Sequence, residues 1–347
     1  MPIQETKRQI IWAVDPFAKD IVLQESTARA IQALIKGTST EVEPVFLAEF
    51  YPFEFANTGG ALIGLPPDRV GEATRSMQAA GQKKLDKILK RTKIPGIKPL
   101  KLLSEPYHSL GLTAETLVTY AKQSGADLIA LSTRARKGPV RWVMGSFAET
   151  LTLNSDIPLF VVNPLWKSSA TFKHILFPTD FSVESKKAFG KVLAMAKMLG
   201  SKISIFHKVA YTVGPTFDSA FMPQALYKRI LREEVQARQA EGQKWIVLAN
   251  TMGVKASFTI DTQKGTTTEE AILAKAKAKP GITAMAARSG QISSAVLGSV
   301  ARKMLRSSPQ PVWVFHSERK KQQEAIFSVT EFDVIADLHV PELRKGA

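Results

Sequence analysis

Lys173 to Gly190 reads KHILFPTDFSVESKKAFG. His174 to Phe177 is a short apolar run, the mark of a buried strand, and it stops in Pro178-Thr179-Asp180. Ser182 is the candidate N-cap of the following helix, with Ser185 and Lys186 in its first turns. An acidic residue at the carboxyl end of a strand, just before a helix, stands where open α/β sheets place ligands. Near the start, RQIIWAVDPFAKDIVLQEST (Arg8 to Thr27) has the same plan: apolar strand, Asp15-Pro16, then a helical pattern. Asp15 and Asp180 are 165 residues apart, so the chain reads as a tandem repeat.

A length of 347 residues suits two domains, each able to bury its own core. The expected boundaries are 1–166 and 167–317, with 318–347 as a C-terminal tail. There is no cysteine, which removes disulfides and thiolate metal sites and makes a reducing cytoplasm the expected compartment. No apolar run approaches the ~18 residues of a membrane span. Ile10 to Val14 is too short for the apolar part of a signal peptide, so no membrane role is expected.

The net charge of +16 is unevenly placed. Residues 1–166 carry 20 basic and 16 acidic side chains, against 27 and 15 in residues 167–347. A basic half can serve an anionic partner such as nucleic acid or acidic lipid. The plainer reading is a solvated Lys-rich surface, because Lys275, Lys277 and Lys279 are spread along a helix rather than clustered with aromatics.

Taken in order, the first repeat offers strands at Ile10–Val14, Val42–Phe50, Ile97–Leu103, Leu128–Leu131 and Leu159–Val162. Helices are expected at Ile21–Lys36, Asp68–Arg91, Thr113–Ser124 with Thr113 as cap, and Trp142–Asn154. Tyr51 to Pro67 is a Gly/Pro-rich loop that packs on its own domain or a neighbour. Asn163 to Thr171 is a linker, polar apart from Trp166. The second repeat places strands at His174–Phe177, Lys202–Val209, Lys255–Asp261, Ile282–Ala286 and Val312–Phe315. Its helices are Val183–Leu199, Gln224–Asn250, one capped by Thr267 or Thr268 and ending near Ala278, and Val296–Ser307. Strands alternating with helices require right-handed crossovers and a parallel sheet covered on both faces. That is a doubly wound α/β unit, twice over.

The loops after the fourth strands are the candidate ligand sites. The first runs Ser132-Thr-Arg-Ala135-Arg-Lys-Gly138-Pro-Val-Arg-Trp-Val-Met-Gly145-Ser146, with Gly145-Ser146 opening a helix. Small residues let a backbone approach a phosphate, and a helix start supplies free N–H groups and a favourable dipole. Arg134, Arg136, Lys137 and Arg141 add positive charge. The second loop carries Ala284, Ala287, Arg288, Ser289 and Gly290, then Gly298-Ser299 at its helix start.

On these residues the chain resembles the universal stress protein family. IIWAVDPF and HILFPTDFS are similar to the opening strand of such domains. VMGSFAETLTLNSDIPLFVV and VLGSVARKMLRSSPQPVWVF are similar to their closing Gly-Ser helix and last strand. The resemblance spans about Lys7–Val162 and Lys173–Phe315. It implies two five-stranded parallel sheets, flavodoxin- or Rossmann-like, each of order 3-2-1-4-5 and packed as a pseudo-dimer. Nucleotide-binding members carry G-x2-G-x9-G-[S/T] in that loop. Here the spacing lands on Ser132, Ala135, Gly145 and Ser146 in the first repeat. In the second it lands on Met285 and Arg288 before Gly298 and Ser299; sliding to Ala284 and Ala287 would add a residue to the loop. Asp15 and Asp180 match the family's strand-one Asp, which contacts the adenosine moiety; as plain residues they serve equally as turn or cap groups.

No G-x4-GK[S/T], no G-x-G-x-x-G after either first strand and no G-x-S-x-G elbow occurs. His108, His174, His207, His316 and His339 show no metal-ligand spacing, and no nucleophile is paired with a base. The expectation is a non-catalytic stress-response or signalling module that binds ATP or another adenine nucleotide, in the first half by preference. The alternative is a nucleotide-free scaffold acting through protein or nucleic-acid contacts of the basic second half. A monomer with an internal pseudo-dimer and a homodimer are both open at this stage.

Overall fold

The computed structural model describes residues 8–49, 67–105, 110–133, 146–164, 166, 171–209, 224–287 and 297–316. The first half runs β1 (Arg8–Ala13), α1 (Ile21–Ile35), β2 (Thr40–Glu49), α2 (Pro67–Leu89), β3 (Lys101–Glu105), α3 (Leu110–Gln123), β4 (Leu128–Ser132), α4 (Ser146–Asn154) and β5 (Leu159–Val162). The second runs β6 (His174–Pro178), α5 (Val183–Leu199), β7 (Lys202–Lys208), α6 (Gln224–Thr251), β8 (Ala256–Asp261), α7 (Thr268–Ala278), β9 (Ile282–Ala286), α8 (Ser299–Ser307) and β10 (Val312–Phe315).

The ten strands among the described residues lie in one sheet of order β3-β2-β1-β4-β5-β10-β9-β6-β7-β8. Each half thus has the expected order 3-2-1-4-5, with parallel pairing inside it. The halves join where β5 and β10 pair antiparallel, with Trp313 opposite Phe160. Both strands are buried along their whole length, LFVV and VWVF, as continuous apolar runs in the middle of a sheet must be. The crossovers place α1, α2, α5 and α6 on one face and α3, α4, α7 and α8 on the other, each over its own apolar core.

The seam is aromatic. Phe160 meets Trp313 at 5.7 Å and Phe172 at 6.1 Å, both edge to face, and Phe172 packs on Trp166 at 5.9 Å. Each such pair adds about 0.5–1.5 kcal/mol beyond the area it buries. Trp166, the one apolar aromatic of the linker, and Phe172 just after it are buried in the core that both halves share.

Several boundaries differ from the sequence reading for local reasons. Ile97 makes only an isolated bridge to Val42, and β3 begins at Lys101. Pro99 cannot donate to a ladder, and the Leu100 N–H goes to Gln82 Oε1 at 2.6 Å instead. Thr113 is not a cap: it lies inside α3, buried on the core side. The start of α8 falls at Ser299, later than Val296, whereas Trp142, the expected start of α4, lies outside the described residues. Ser182 and Thr267 cap as expected, and Thr267 with Glu270 forms a full capping box. The Tyr51–Pro67 loop (residues 51–66) and the tail 318–347 lie outside the described residues.

Candidate functional site

The sheet brings the two halves of each candidate site together at the carboxyl ends of neighbouring strands. In the first half the last paired positions of β1 and β4 are Ala13 and Leu131. Two residues further on stand Asp15 and Thr133. Asp15 Oδ1 accepts from the Phe17 N–H at 3.0 Å, which holds the turn into α1. Thr133 follows Ser132 at the end of β4, and its N–H donates to Val162 O at 3.0 Å. Its side chain is buried, and Oγ1 has no hydrogen-bond partner among the described residues. A buried hydroxyl left unmet costs about 1–3 kcal/mol, so its place beside Asp15 is notable. Composition and motif spacing offered no sign of Thr133; only its burial exposes it.

Ser146 is the first described residue of α4. Ala135, Gly138 and Gly145 lie outside the described residues.

The second half departs from the first in three ways. Asp180 Oδ1 accepts from the Ser182 N–H at 3.0 Å and from Ser185 Oγ at 2.7 Å. Burial works against its charge, but these hydrogen bonds outweigh it and hold the carboxyl below the usual carboxylate range. Phe181 takes a left-handed backbone, φ 61°, a strained choice for a residue with a Cβ. It sets the ring among His207, Trp245 and Phe258.

Secondly, Gly298 caps α8 without any side-chain hydrogen bond, and no acidic residue occupies the helix's first turn. An acid arrives from elsewhere: Ser299 Oγ donates to Glu269 Oε1 of α7 at 3.0 Å. A carboxylate therefore stands at the start of α8, where its charge disfavours a second anion. A Cβ on Gly298 would meet only Ala287 O at 3.7 Å, so packing alone does not demand glycine.

Thirdly, the register corrects the alignment of the two loops. Ile129 pairs with Leu159 and Thr283 with Val312, while Ala287 N donates to Phe315 O as Thr133 N does to Val162 O. Thr133 therefore corresponds to Ala287, and Ser132 to Ala286. Ala135, Arg288 and Ser289 lie outside the described residues. The second loop is one residue shorter than the first, where sliding to Ala284 and Ala287 would have made it longer. Ser132 and Ala286 are both small, but only the first is followed by a buried hydroxyl, Thr133, where the second half has Ala287.

His207 is buried and donates from Nδ1 to Thr179 O at 2.8 Å. Burial, more than the opposing hydrogen bond and neighbouring charges, pushes its pKa below the ordinary imidazole value. Lys208 is buried beside Asp261 and ties down the β8–α7 turn through Asp261 Oδ1 at 3.3 Å and Gln263 O. Among the described residues no group of three or more His, Asp or Glu converges as a metal site would. None of their helices is long and apolar enough to cross a membrane.

Comparison with known proteins agrees with this architecture. A universal stress protein of Methanocaldococcus jannaschii is 28% identical over 139 residues, 40% of this chain and 73% of that protein. The solved structure of a universal stress protein from Archaeoglobus fulgidus superposes with a TM-score of 0.55 at 16% identity, covering 90% of this chain and 97% of that one. A functionally unknown protein from Pseudomonas aeruginosa gives 0.51 at 13% identity, over 90% and 93%. At such identities the structural likeness speaks for the fold alone. The model of the universal stress protein family matches residues 108–163 and 171–316, more than half of the chain. Repeated strand–Asp–helix openings, Gly-Ser helix starts and this match lead to one conclusion: the chain belongs to the universal stress protein family.

Proposed function

We propose that the chain is a non-catalytic stress-response or signalling module whose first half takes an adenine nucleotide, ATP foremost. The observation that carries this reading is the Thr133 hydroxyl, buried and unmet at the end of β4, beside the Asp15 turn at the end of β1. A ligand hydroxyl or phosphate oxygen would satisfy it, and Asp15 has a carboxylate for a ribose hydroxyl. Ser146 at the start of α4 favours an anion next to them, and Arg134, Arg136, Lys137 and Arg141 of the connecting sequence add charge. A bound adenine nucleotide would supply phosphate charge and a conformational signal. The chain's own residues would bind and orient it.

The second half supports the same ligand less well. Asp180 is consumed by Ser182 and Ser185, Glu269 holds Ser299, and Ala287 replaces the hydroxyl of Thr133. Equilibrium dialysis with labelled ATP tests the proposal on the intact chain and on Thr133→Val, which keeps shape and removes the hydroxyl. Saturable binding of one nucleotide per chain, weakened tenfold or more (about 1.4 kcal/mol) in the variant, is expected. Absence of binding up to millimolar nucleotide overturns it.

A further inference from the structure

The amino ends of the second half's strands carry a row of cations, and the first half provides an internal control. His174 pairs with Lys202, and the Lys202 N–H donates to Lys173 O at 2.9 Å. The Ile203 N–H donates to Lys255 O at 2.9 Å, which places Lys255 on the next strand beside Lys202. On the other side of β6, Ile175 pairs with Ile282 of β9, and a Cβ on Gly281 would meet His174 O at 2.1 Å. Lys279 stands two residues before that contact. Lys173, Lys202, Lys255 and Lys279 are all exposed. The turns among them, Gly200-Ser201, Asn250 to Val254 and Pro280-Gly281, contribute no carboxylate. Lys279, Lys202 and Lys173 all act on the His174 imidazole and, after burial, hold its pKa below the ordinary value.

The equivalent edge of the first half is neutralised. Gln9 occupies the place of His174, and its partner in β2 is Glu41, where the second half has Lys202. Lys98 pairs with Glu41 at 3.0 Å, Asp127 Oδ2 accepts from the Gln9 N–H at 2.9 Å, and Glu43 accepts from Gln9 Nε2 and Tyr120. The same fold therefore tolerates acids at these positions, and the second half has none. Neighbouring strands are about 4.8 Å apart, so four strand starts lay out cations over some 15 Å. That is a spacing on which successive phosphates of a nucleic-acid backbone can be met.

We infer that this lysine edge of β9, β6, β7 and β8 is a docking surface for the phosphate backbone of duplex nucleic acid, without sequence readout. Lys173, Lys202, Lys255 and Lys279 supply the contacts. Among the described residues the exposed large apolar side chains lie on the β1–α1 turn and on α1, α3, α5 and α6, and none stands on these strand starts to enter a lipid surface. Its described residues include no exposed aromatic ring on which single-stranded bases would stack. The surface is remote from Asp180 and Gly298, which stand at the carboxyl ends of the same strands, and it is independent of nucleotide binding.

Fluorescence anisotropy of the full chain with a labelled duplex of about 20 base pairs tests this across a salt series. Four phosphate contacts predict a slope of about −3.6 in log K against log salt, roughly a hundredfold loss between 50 and 200 mM. Lys202→Gln with Lys255→Gln should weaken binding at least tenfold and flatten the slope by nearly two units. Lys98→Gln with Lys122→Gln, in the first half, should change neither, and circular dichroism with urea unfolding verifies that both pairs fold. Phosphatidylserine vesicles form the second arm. The inference is overturned if the duplex does not bind, if the slope is unaltered in the second-half pair, or if vesicles bind while the duplex does not.

Discussion

Asn163 and His316 are the same position in the two repeats, one residue beyond β5 and β10, and each reaches across the seam to the other half's closing helix. Asn163 Nδ2 donates to Leu305 O at 3.4 Å and Arg306 O at 2.9 Å. His316 Nε2 donates to Thr152 O at 2.7 Å. Thr152 and Leu305 are themselves equivalent, each six residues into its Gly-Ser helix. The two-fold relation of the halves therefore extends to individual carbonyls, and its axis passes by the Phe160–Trp313 pair. Helix ends leave four carbonyls without an internal partner, and each half uses the other to satisfy them.

Removing that exchange should loosen the seam. Asn163 is buried, so Asn163→Ala leaves the end of α8 unmet and should cost about 1–3 kcal/mol. Glu149 bridges the same seam to Arg302 at 3.0 Å and Arg306 at 3.4 Å, but all three side chains retain a quarter or more of their exposure. Glu149→Gln should therefore cost under about 1 kcal/mol. Urea unfolding followed by tryptophan fluorescence ranks the two. A larger loss from Glu149→Gln would mean that charge, not capping and aromatic packing, holds the halves together.

Two glycines predict opposite outcomes. A Cβ at Gly281 would lie 2.1 Å from His174 O, a backbone atom that cannot yield without parting β6 from β9. At Gly298 it would meet only Ala287 O at 3.7 Å. Gly281→Ala should lose several kcal/mol or fail to fold, while Gly298→Ala should keep its melting temperature within a few degrees. Equal effects in thermal melts would contradict the packing described.

Stability should fall on mild acidification. His207 and His174 both have pKa values held below the ordinary imidazole value, with burial the foremost cause. The unfolded chain then takes up protons that the folded chain refuses. Their contribution is complete above about pH 6.5 and is lost as pH falls through that value toward the depressed folded pKa. Glu234 and Asp180 partly offset this at His207, while Arg238 reinforces it. Asp180, also depressed, loses its contribution only further down, in the carboxylate range. Urea midpoints at pH 7.5 and 5.5 should differ, and His207→Gln should narrow the difference. A gap of the same size in the variant would assign it to other groups.

Most of the fold was legible because its central strands are uninterrupted apolar runs, such as Leu159–Val162 and Val312–Phe315, and its helices open on Ser182 and Thr267 caps. What was not legible depended on tertiary partners. Pro99 looked like part of a strand until Gln82 took the neighbouring N–H. Thr113 had the composition of a cap but the place of a core residue. The correspondence of Ser132 with Ala286 needed the β9–β10 register, because motif spacing cannot detect a one-residue deletion in a loop. Thr133 and Glu269, which distinguish the halves as candidate sites, carry no motif. Their roles arise from burial and from a contact between helices.

The choice between the halves gives the last prediction. If the first half holds the nucleotide as proposed, Gly145→Val with Ser146→Ala should reduce its affinity tenfold or more, about 1.4 kcal/mol, by adding bulk where the helix start would meet the phosphates. The equivalent pair, Gly298→Val with Ser299→Ala, should leave affinity nearly unchanged, because Glu269 already holds the start of α8 through Ser299. Aligning Ala286 with Ser132 leaves the second loop one residue shorter, and the prediction rests chiefly on charge and hydroxyl placement. Glu269→Gln makes the argument sharper. Removing that carboxylate should raise the stoichiometry toward two nucleotides per chain if its negative charge is what closes the second site. Isothermal titration of the three variants reads both quantities. If the Gly298 and Ser299 pair proves the damaging one, the ligand belongs to the Asp180 half, and Glu269 orients it rather than repels it.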